Sequence, residues 1–167
     1  MRKRKQQCGS AVVEFALTGV PLIFIWIGIF WMAFGMWEFH TLQYASKMAN
    51  AYLAVHGANY VTAAGGSIEV KDVANVFSGY AVGIVPSAVT LTLTAGSTTH
   101  PACVLKTCQT DTTAWPPTTA NSIGTDIKLK AAFTFLAPFE MWTPGQGATS
   151  FSNNYTLSGY SHQQILF

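Results

Sequence analysis

The sequence predicts an α+β protein, in which a long N-terminal transmembrane and stem helix is followed by a small head. In that head, one helix should pack on an antiparallel sheet of three to four strands. A long charge-free apolar run near the N-terminus, a shorter amphipathic pattern after it and alternating segments in the second half predict this arrangement. The chain has 167 residues, of which 50% are hydrophobic and only 10% charged. It therefore has room for one modest domain and an anchor in lipid.

The apolar run FALTGVPLIFIWIGIFWMAFGMW, Phe15–Trp37, has no charge over 23 residues. As a helix it is about 35 Å long, which is enough to cross a bilayer core of about 30 Å. No other segment is apolar enough to surround it as a buried core helix. It is too long for a secretory signal and has no clear cleavage site after it, and Cys8 precedes it, unlike the cysteine of a lipoprotein signal. We expect the helix to be retained and to span a membrane once.

The positive charge of the chain is concentrated at its start. Four of the nine Lys and Arg residues are Arg2, Lys3, Arg4 and Lys5. By the positive-inside rule, this end stays in the cytoplasm and the residues after the span lie outside. Beyond residue 9, five basic residues stand against seven acidic ones, so no basic face remains for nucleic acid.

The helix should continue outward as a stem, because no breaker occurs before Gly57 and Gly65-Gly66 is the first strong stop. One face of the stem carries residues at helical spacing, namely Leu42, Ala45, Ala49, Tyr52 and His56. Two alternatives are open for this face: it packs on the head of the same molecule, or it packs on helices of neighbouring molecules.

The head should begin after the two glycines. Ser67 is a plausible N-cap for a helix that Pro86 ends, and its apolar face includes Val70, Val73 and Phe77. Strands are predicted from the alternating segments AVTLTLTA and DIKLKAAFTFLA, and a last strand within SFSNNYTLSGYS. Between the first two strands, residues 95–125 are rich in Thr, Pro and Asn. They should form a long exposed loop that adds little to the core.

Two cysteines lie in this loop, on the oxidising side of the membrane if the topology is correct. Cys103 and Cys108 are separated by four residues, which is enough to close a small ring by a disulfide. The alternative is a zinc site with His100, but no second pair at ligand spacing follows. We therefore expect a disulfide and no metal.

No catalytic motif is present in the sequence. It lacks HExxH, GxSxG, a phosphate-binding GxxxxGK and a GxGxxG after a strand. The remaining acids form no obvious acid/base pair, and the four histidines are scattered over the stem, the loop and the tail. The acids concerned are Glu69, Asp72, Asp111, Asp126 and Glu140. We expect a protein that is not an enzyme and uses no cofactor.

A short motif lies between the basic start and the apolar helix. Cys8-Gly9-Ser10 is followed by Glu14-Phe15, so that four residues separate a glycine from a glutamate and an aromatic. This arrangement resembles the prepilin-like proteins of bacterial tight-adherence pilus systems, in particular the TadE-like family. The second half resembles that family more loosely, through IKLKAAFTFLAPF. Cys8 directly before the glycine departs from the family pattern.

The resemblance implies that a prepilin peptidase cuts on the cytoplasmic side after Gly9. Ser10 then becomes the first mature residue, and Glu14 and Phe15 become the fifth and sixth. The expected division is a leader over 1–9, the transmembrane helix and stem over 10–64, and the head over 65–167.

The function implied by the resemblance is that of a minor pilin or pseudopilin, which helps to assemble a Flp-type tight-adherence pilus. Its partners would be the prepilin peptidase, other pilin-like subunits, the assembly machinery and membrane lipid, and its location the bacterial inner membrane. The alternative is a single-pass envelope domain that binds a ligand or protein through its head and never enters a filament. Cleavage after Gly9 discriminates between these two functions.

Glu14 and two glycines of the apolar helix are candidate functional residues. Placing a carboxylate at the hydrocarbon edge costs about 2 to 3 kcal/mol, so an acid at this position indicates a functional site. The resemblance implies that Glu14 pairs with the new amino terminus of a neighbouring subunit; the alternative is that it stays hydrated at the interface. Gly28 and Gly35 are seven residues apart and share a face, which lets another helix approach closely. For these, the alternative is ordinary tolerance of glycine in membrane helices.

Overall fold

The computed structural model describes residues 8–57, 67–142 and 151–166, and the side chains among them except at 8–11, 137–142 and 151–153. The basic residues Arg2, Lys3, Arg4 and Lys5 lie outside this range, as does the side chain of Glu140. The chain divides into two units, Met1–Met36 and Trp37–Phe167.

The first unit contains the N-terminal part of α1, the helix Cys8–Val55. From Val12 to Met36, nearly all the large side chains of this unit are apolar and exposed. By length and composition, α1 could cross a membrane. Pro21 lies inside the helix, which continues through it. Helix α1 is the one such helix in the part of the chain that the structure describes, and it is consistent with a single-pass membrane anchor.

The second unit begins at Trp37, within α1, and forms the head. Its helices after α1 are α2, Val70–Tyr80, and the single turn α3, Leu105–Cys108. Short 3₁₀ turns lie at Pro86–Ala88 and Thr118–Ala120. Its strands are β1 (Val89–Ala95), β2 (Thr98–Thr99), β3 (Cys103–Val104), β4 (Asp126–Trp142) and β5 (Phe151–Gln164).

The five strands form one antiparallel sheet in the order β2-β1-β4-β5, with β3 also paired to β1. In β1, buried and half-buried residues alternate as the sequence pattern predicts. Leu93 pairs with Leu129 of β4, which pairs in turn with Ser161 of β5. The predicted α+β class is therefore confirmed, and the short strands β2 and β3 are additions that the pattern did not predict.

The core of the head lies between the sheet, α2 and the C-terminal part of α1. Leu42, Ala45 and Ala49 of α1 are completely buried, in one cluster with Phe77 of α2 and the inward residues of the sheet. The apolar face of the stem thus packs on the head of its own molecule. Of the two alternatives left open by the sequence, the structure shows the first.

A polar seam also runs along this contact. Asn50, which is fully buried, donates from Nδ2 to the carbonyl oxygen of Ile127 at 3.3 Å and to Oγ of Ser161 at 3.2 Å. Ser46 donates to the carbonyl oxygen of Leu42 at 2.8 Å. The Ser46 bond lies within α1, whereas the two bonds of Asn50 connect α1 to β4 and β5. Since buried polar groups are costly without partners, the Asn50 bonds favour one position of α1 on these strands.

The helix ends in the head differ from the prediction, and α2 ends at Tyr80 rather than at Pro86. Helix α1 ends at Val55, just before Gly57, whose Cα lies so close to Ile165 that an added Cβ would be 2.6 Å from Cγ2. The predicted extension to residue 64 runs into residues 58–66, which the structure does not describe. Helix α2 starts after Glu69 rather than Ser67, because Asp72 accepts a hydrogen bond from the Glu69 N–H at 3.0 Å.

The expectation that residues 95–125 add little to the core was wrong. The stretch contains β2, β3 and α3, and six of its residues are buried, namely Ala95, Leu105, Cys108, Trp115, Pro116 and Ala120. Its backbone also pairs with the segment that enters α2: Val70 N–H donates to Thr113 at 2.9 Å, and Trp115 N–H donates to Ile68 at 2.8 Å. Thr-rich composition predicted a loop, whereas long-range backbone pairing, which composition does not report, gives it structure.

Candidate assembly and processing site

The residues of the predicted cleavage site lie in the first turn of α1. Gly9 and Ser10 are helical, and Glu14 follows Ser10 by four residues, or about 6 Å along the axis. Positions four apart lie on the same face of a helix. An amino group at Ser10 would therefore be on the face that carries Glu14.

Glu14 and Phe15 are both exposed on this helix, Phe15 with 74% of its surface. Within the described residues, no cation forms an ion pair with the Glu14 carboxylate. The Phe15 ring lies over the next turn, where a Cβ on Gly19 would be 3.4 Å from Cζ. Thr18 donates its hydroxyl to the Glu14 carbonyl oxygen at 2.9 Å, so this hydroxyl is satisfied within the helix.

The two glycines of the predicted packing face lie further along the first unit. An added Cβ on Gly28 would meet nothing within 4 Å, so this position leaves an open notch on the helix surface. Trp31 and Phe34, whose rings meet edge to face at 6.0 Å, line a shallow depression nearby. Packing of another helix at Gly28 and Gly35 stays a prediction.

The disulfide predicted between Cys103 and Cys108 is present, with their Cα atoms 5.7 Å apart. It joins β3 to the end of α3. Because both sulfur atoms are bonded to each other, neither is a thiolate for zinc. Among the described residues, no group of three or more His, Cys, Asp and Glu side chains could hold a metal ion.

Near the disulfide in sequence, His100 and Asp111 form a contact that connects the two ends of residues 100–111. His100 Nε2 is 3.1 Å from Asp111 Oδ2, and its Nδ1 is 2.8 Å from the carbonyl oxygen of Pro101. Both partners only accept, so both contacts are hydrogen bonds when the imidazole is protonated. Asp111 also accepts from the Thr113 hydroxyl and N–H, at 2.6 and 2.9 Å. These two Thr113 bonds, more than the neighbouring His100, hold the pKa of Asp111 below its usual value.

The other acids and histidines have roles that support the fold. Asp72 caps α2, and Glu69 pairs with Lys71. His162 Nε2 is 3.1 Å from Asp126 Oδ1 on the sheet surface. His56 stacks on Tyr52 with 4.3 Å between ring centroids, and His40 lies beside Phe39. None of these pairs combines a nucleophile with a base.

Sequence analysis missed two residues of α1 in the head. Glu38 is only 5% exposed, and its Oε2 has no hydrogen-bond partner among the residues that the structure describes. Gln43 donates to the carbonyl oxygen of Ser158 and accepts from the N–H of Tyr160, both at 3.2 Å. Its amide thereby occupies two backbone groups on the free edge of β5, which would otherwise be open to a further strand. Glu38 could have been noticed as the charged residue directly after the charge-free run. No local pattern singles out Gln43.

Comparison with known families agrees with the motif. The family model of TadE-like protein matches residues 9–49, which include Gly9, Ser10, Glu14 and Phe15. Over these residues the resemblance to the TadE-like family is confirmed; residues 50–167 lie outside the match. No curated protein and no solved structure matches the chain.

Proposed function

We propose that this protein is a minor pilin or pseudopilin that takes part in the assembly of a Flp-type tight-adherence pilus and is not an enzyme. The observation that carries the proposal is the glycine and Glu-Phe motif at the start of a long, apolar, exposed helix, within the stretch that matches the TadE-like family model. A prepilin peptidase would cut after Gly9, so that the mature chain starts at Ser10.

In this proposal the anchor lies in the bacterial inner membrane. The basic residues Arg2, Lys3, Arg4 and Lys5 keep the start of the chain in the cytoplasm, and the head lies outside. Other pilin-like subunits and the assembly machinery are the partners of the mature protein. The disulfide of the head suits an oxidising compartment, which supports this orientation.

Cleavage would give Glu14 its role. The new amine at Ser10 is positive, and the exposed carboxylate of Glu14 is a suitable partner for such an amine on a neighbouring subunit. In low dielectric, each charge alone would be costly, but the pair offsets part of the desolvation of both. Pairing between neighbours would set the axial register in which subunits stack.

A substitution at Glu14 tests this role. Glu14→Gln keeps the shape of the side chain and removes its charge, so we expect normal insertion and a normally folded head but few or no pili. The matched control is Val13→Gln, which adds the same amide at the adjacent exposed position and keeps the carboxylate. Pili are counted by electron microscopy, and surface adhesion is measured in parallel.

The outcome separates the two functional classes. A Glu14→Gln strain that makes pili in normal number and adheres normally would contradict the proposed role of the carboxylate. If pili also form normally when the whole protein is deleted, the filament role itself is wrong and the envelope-domain function is favoured. Alkaline extraction of membranes and protection of the head from protease serve as checks that each variant is inserted and folded.

A further inference from the structure

The turn between α2 and β1 points two valines away from the head. Val82 and Val85 are 66% and 58% exposed, whereas Ala81 and Ile84 beside them are each only 6% exposed. The inward pair anchors the turn in the core and thereby fixes the direction of the outward pair. Single exposed valines are ordinary on a protein surface, so their meaning depends on where the turn lies.

The turn lies against Trp37. Gly83, at its centre, has a φ of +83°, and a Cβ there would overlap the Trp37 ring. Glycine is the residue that tolerates both the positive φ and the lack of space for a Cβ, so the close contact with Trp37 depends on Gly83. Trp37 is the last residue of the charge-free run Phe15–Trp37, which the sequence predicts to cross the membrane. The turn therefore lies next to the last residue of that run.

The surroundings of the turn suit the lipid interface. From Val73 to Leu105 the chain has no Asp, Glu, Lys or Arg. Tyr80, at the end of α2, meets Tyr44 of α1 edge to face at 5.6 Å, and the two rings are 40% and 53% exposed. Tyr44 follows Trp37 by seven residues, or about 10 Å along the helix. Tryptophan and tyrosine in this order, outward from an apolar span, are typical of the aromatic belt at headgroup level.

We propose that the turn Ala81–Val85 is a second membrane contact of this protein. Val82 and Val85 enter the interface of the same bilayer beside Trp37, and Tyr44 and Tyr80 lie at the level of the headgroups. The lipid surface is the partner that fits, because the exposed valines flank Gly83, which contacts Trp37, the last residue of the apolar run, and because the chain around the turn carries no charge from Val73 to Leu105. The contact would hold the head at a fixed depth on the membrane, and a subunit entering a filament would have to break it. This inference rests on the membrane-anchor part of the proposed function.

The depth of Val82 in a bilayer can be measured directly. The full chain carrying Cys8→Ser and Val82→Cys is labelled with an environment-sensitive fluorophore, without reductant, so that the Cys103–Cys108 disulfide stays closed. It is reconstituted into vesicles of phosphatidylethanolamine and phosphatidylglycerol that contain lipids with a spin-label quencher near the headgroup. The matched control is Ile123→Cys in the same background, because Ile123 is also an apolar residue in a turn and is 65% exposed.

At Val82 we expect blue-shifted emission and loss of most of the fluorescence to the lipid quencher, with little loss to aqueous iodide. The label at Ile123 should show the reverse. Equal access of iodide to both labels would overturn the inference, and so would a Val82 label protected from both quenchers, because a protein surface would then cover the turn.

Alkaline extraction of the same vesicles tests the anchor separately. If the chain resists extraction but iodide quenches the label at Val82, only this inference is contradicted. If the chain is extracted, the membrane anchor is contradicted as well.

Discussion

Gly159 determines how closely the sheet approaches the helix that carries the motif. A Cβ on this residue would lie 2.8 Å from the carbonyl oxygen of Leu42 and 2.7 Å from Oγ of Ser46. The backbone of β5 therefore touches the backbone of α1, with no side chain between them. Real Cβ atoms do not come this close to backbone oxygen, so any side chain at 159 would force the two elements apart.

At this residue scale, sequence patterns predicted one side of the contact only. The spacing of Leu42, Ala45 and Ala49 is enough to indicate the buried face of α1. Gly159, within SGYS, could equally have marked a bulge, a turn or a weak strand position. Its actual role depends on which helix lies opposite, and a single sequence does not contain that information.

Gly159→Ala should destabilise the head by about 1 to 3 kcal/mol, because the methyl group must displace α1 or β5. The control is Gly79→Ala in α2, where an added Cβ meets nothing within 4 Å. There alanine should stabilise by about 0.5 to 1 kcal/mol through its higher helix propensity. Chemical unfolding of the detergent-solubilised protein measures both changes. If the two substitutions shifted stability in the same direction by the same amount, the close approach would be wrong.

Asp111 makes the loop around the disulfide sensitive to acid. The hydrogen bonds from Thr113, and then His100, lower its pKa in the folded protein. Its contribution to stability is therefore fully present above the unfolded carboxyl pKa of about 3.9 and is lost as the pH falls through the lower folded pKa. Hydrogen exchange at the Val70 amide, which bonds to Thr113, should accelerate in that acidic range beyond the intrinsic change.

Asp111→Asn should remove this acid dependence. Asp126→Asn is the matched control, since the pKa of Asp126 is also lowered, mainly by Gln164 and then by His162, but at a site away from the loop. It should leave the acid response of the Val70 amide unchanged. An identical response in the wild type and in Asp111→Asn would show that another group controls the loop.

At the scale of elements, predictability followed the length of the pattern. The amphipathic run of α2 and the alternation in β1 and β4 extend over enough residues to be recognised. Strands β2 and β3 have two residues each and carry no period at all. Strand β2 follows β1 through the short turn Gly96-Ser97, and β3 pairs with β1 beside the disulfide. Neither a two-residue hairpin strand nor a disulfide gives a periodic pattern in the sequence.

The disulfide should therefore stabilise more than its own small ring. Replacing both Cys103 and Cys108 by serine should lower the free energy of unfolding by about 2 to 3 kcal/mol, mainly because the unfolded chain is less restricted. Exchange at the Val70 and Trp115 amides should also accelerate, because their partners belong to the same segment. Cys8→Ser is the control, since Cys8 is not part of the head and should leave unfolding unchanged. Unchanged stability in the double variant would mean that backbone pairing alone holds the segment.

For the whole molecule, the central feature is that one helix carries both the motif and part of the head core. Helix α1 contains Ser10 and Glu14 near its start and Leu42 to Leu53 near its end. The family model matches most of this helix, from residue 9 to 49. The long apolar helix and its motif could be predicted from sequence because each depends on a local pattern. The contacts of the head could not, because they depend on residues more than a hundred positions apart, such as Gln43 and Ser158.

The start of the mature chain is the most direct test of the proposed function. Mass spectrometry of the protein purified from membranes should find Ser10 as the first residue, since only a peptidase acting on the cytoplasmic side can cut before an intact apolar helix. Replacing Gly9 by a bulky residue should leave the precursor uncut and serves as the control. A membrane population in which most chains still carry residues 2 to 9 would contradict processing, and with it the assignment of this protein as a pilin-like subunit.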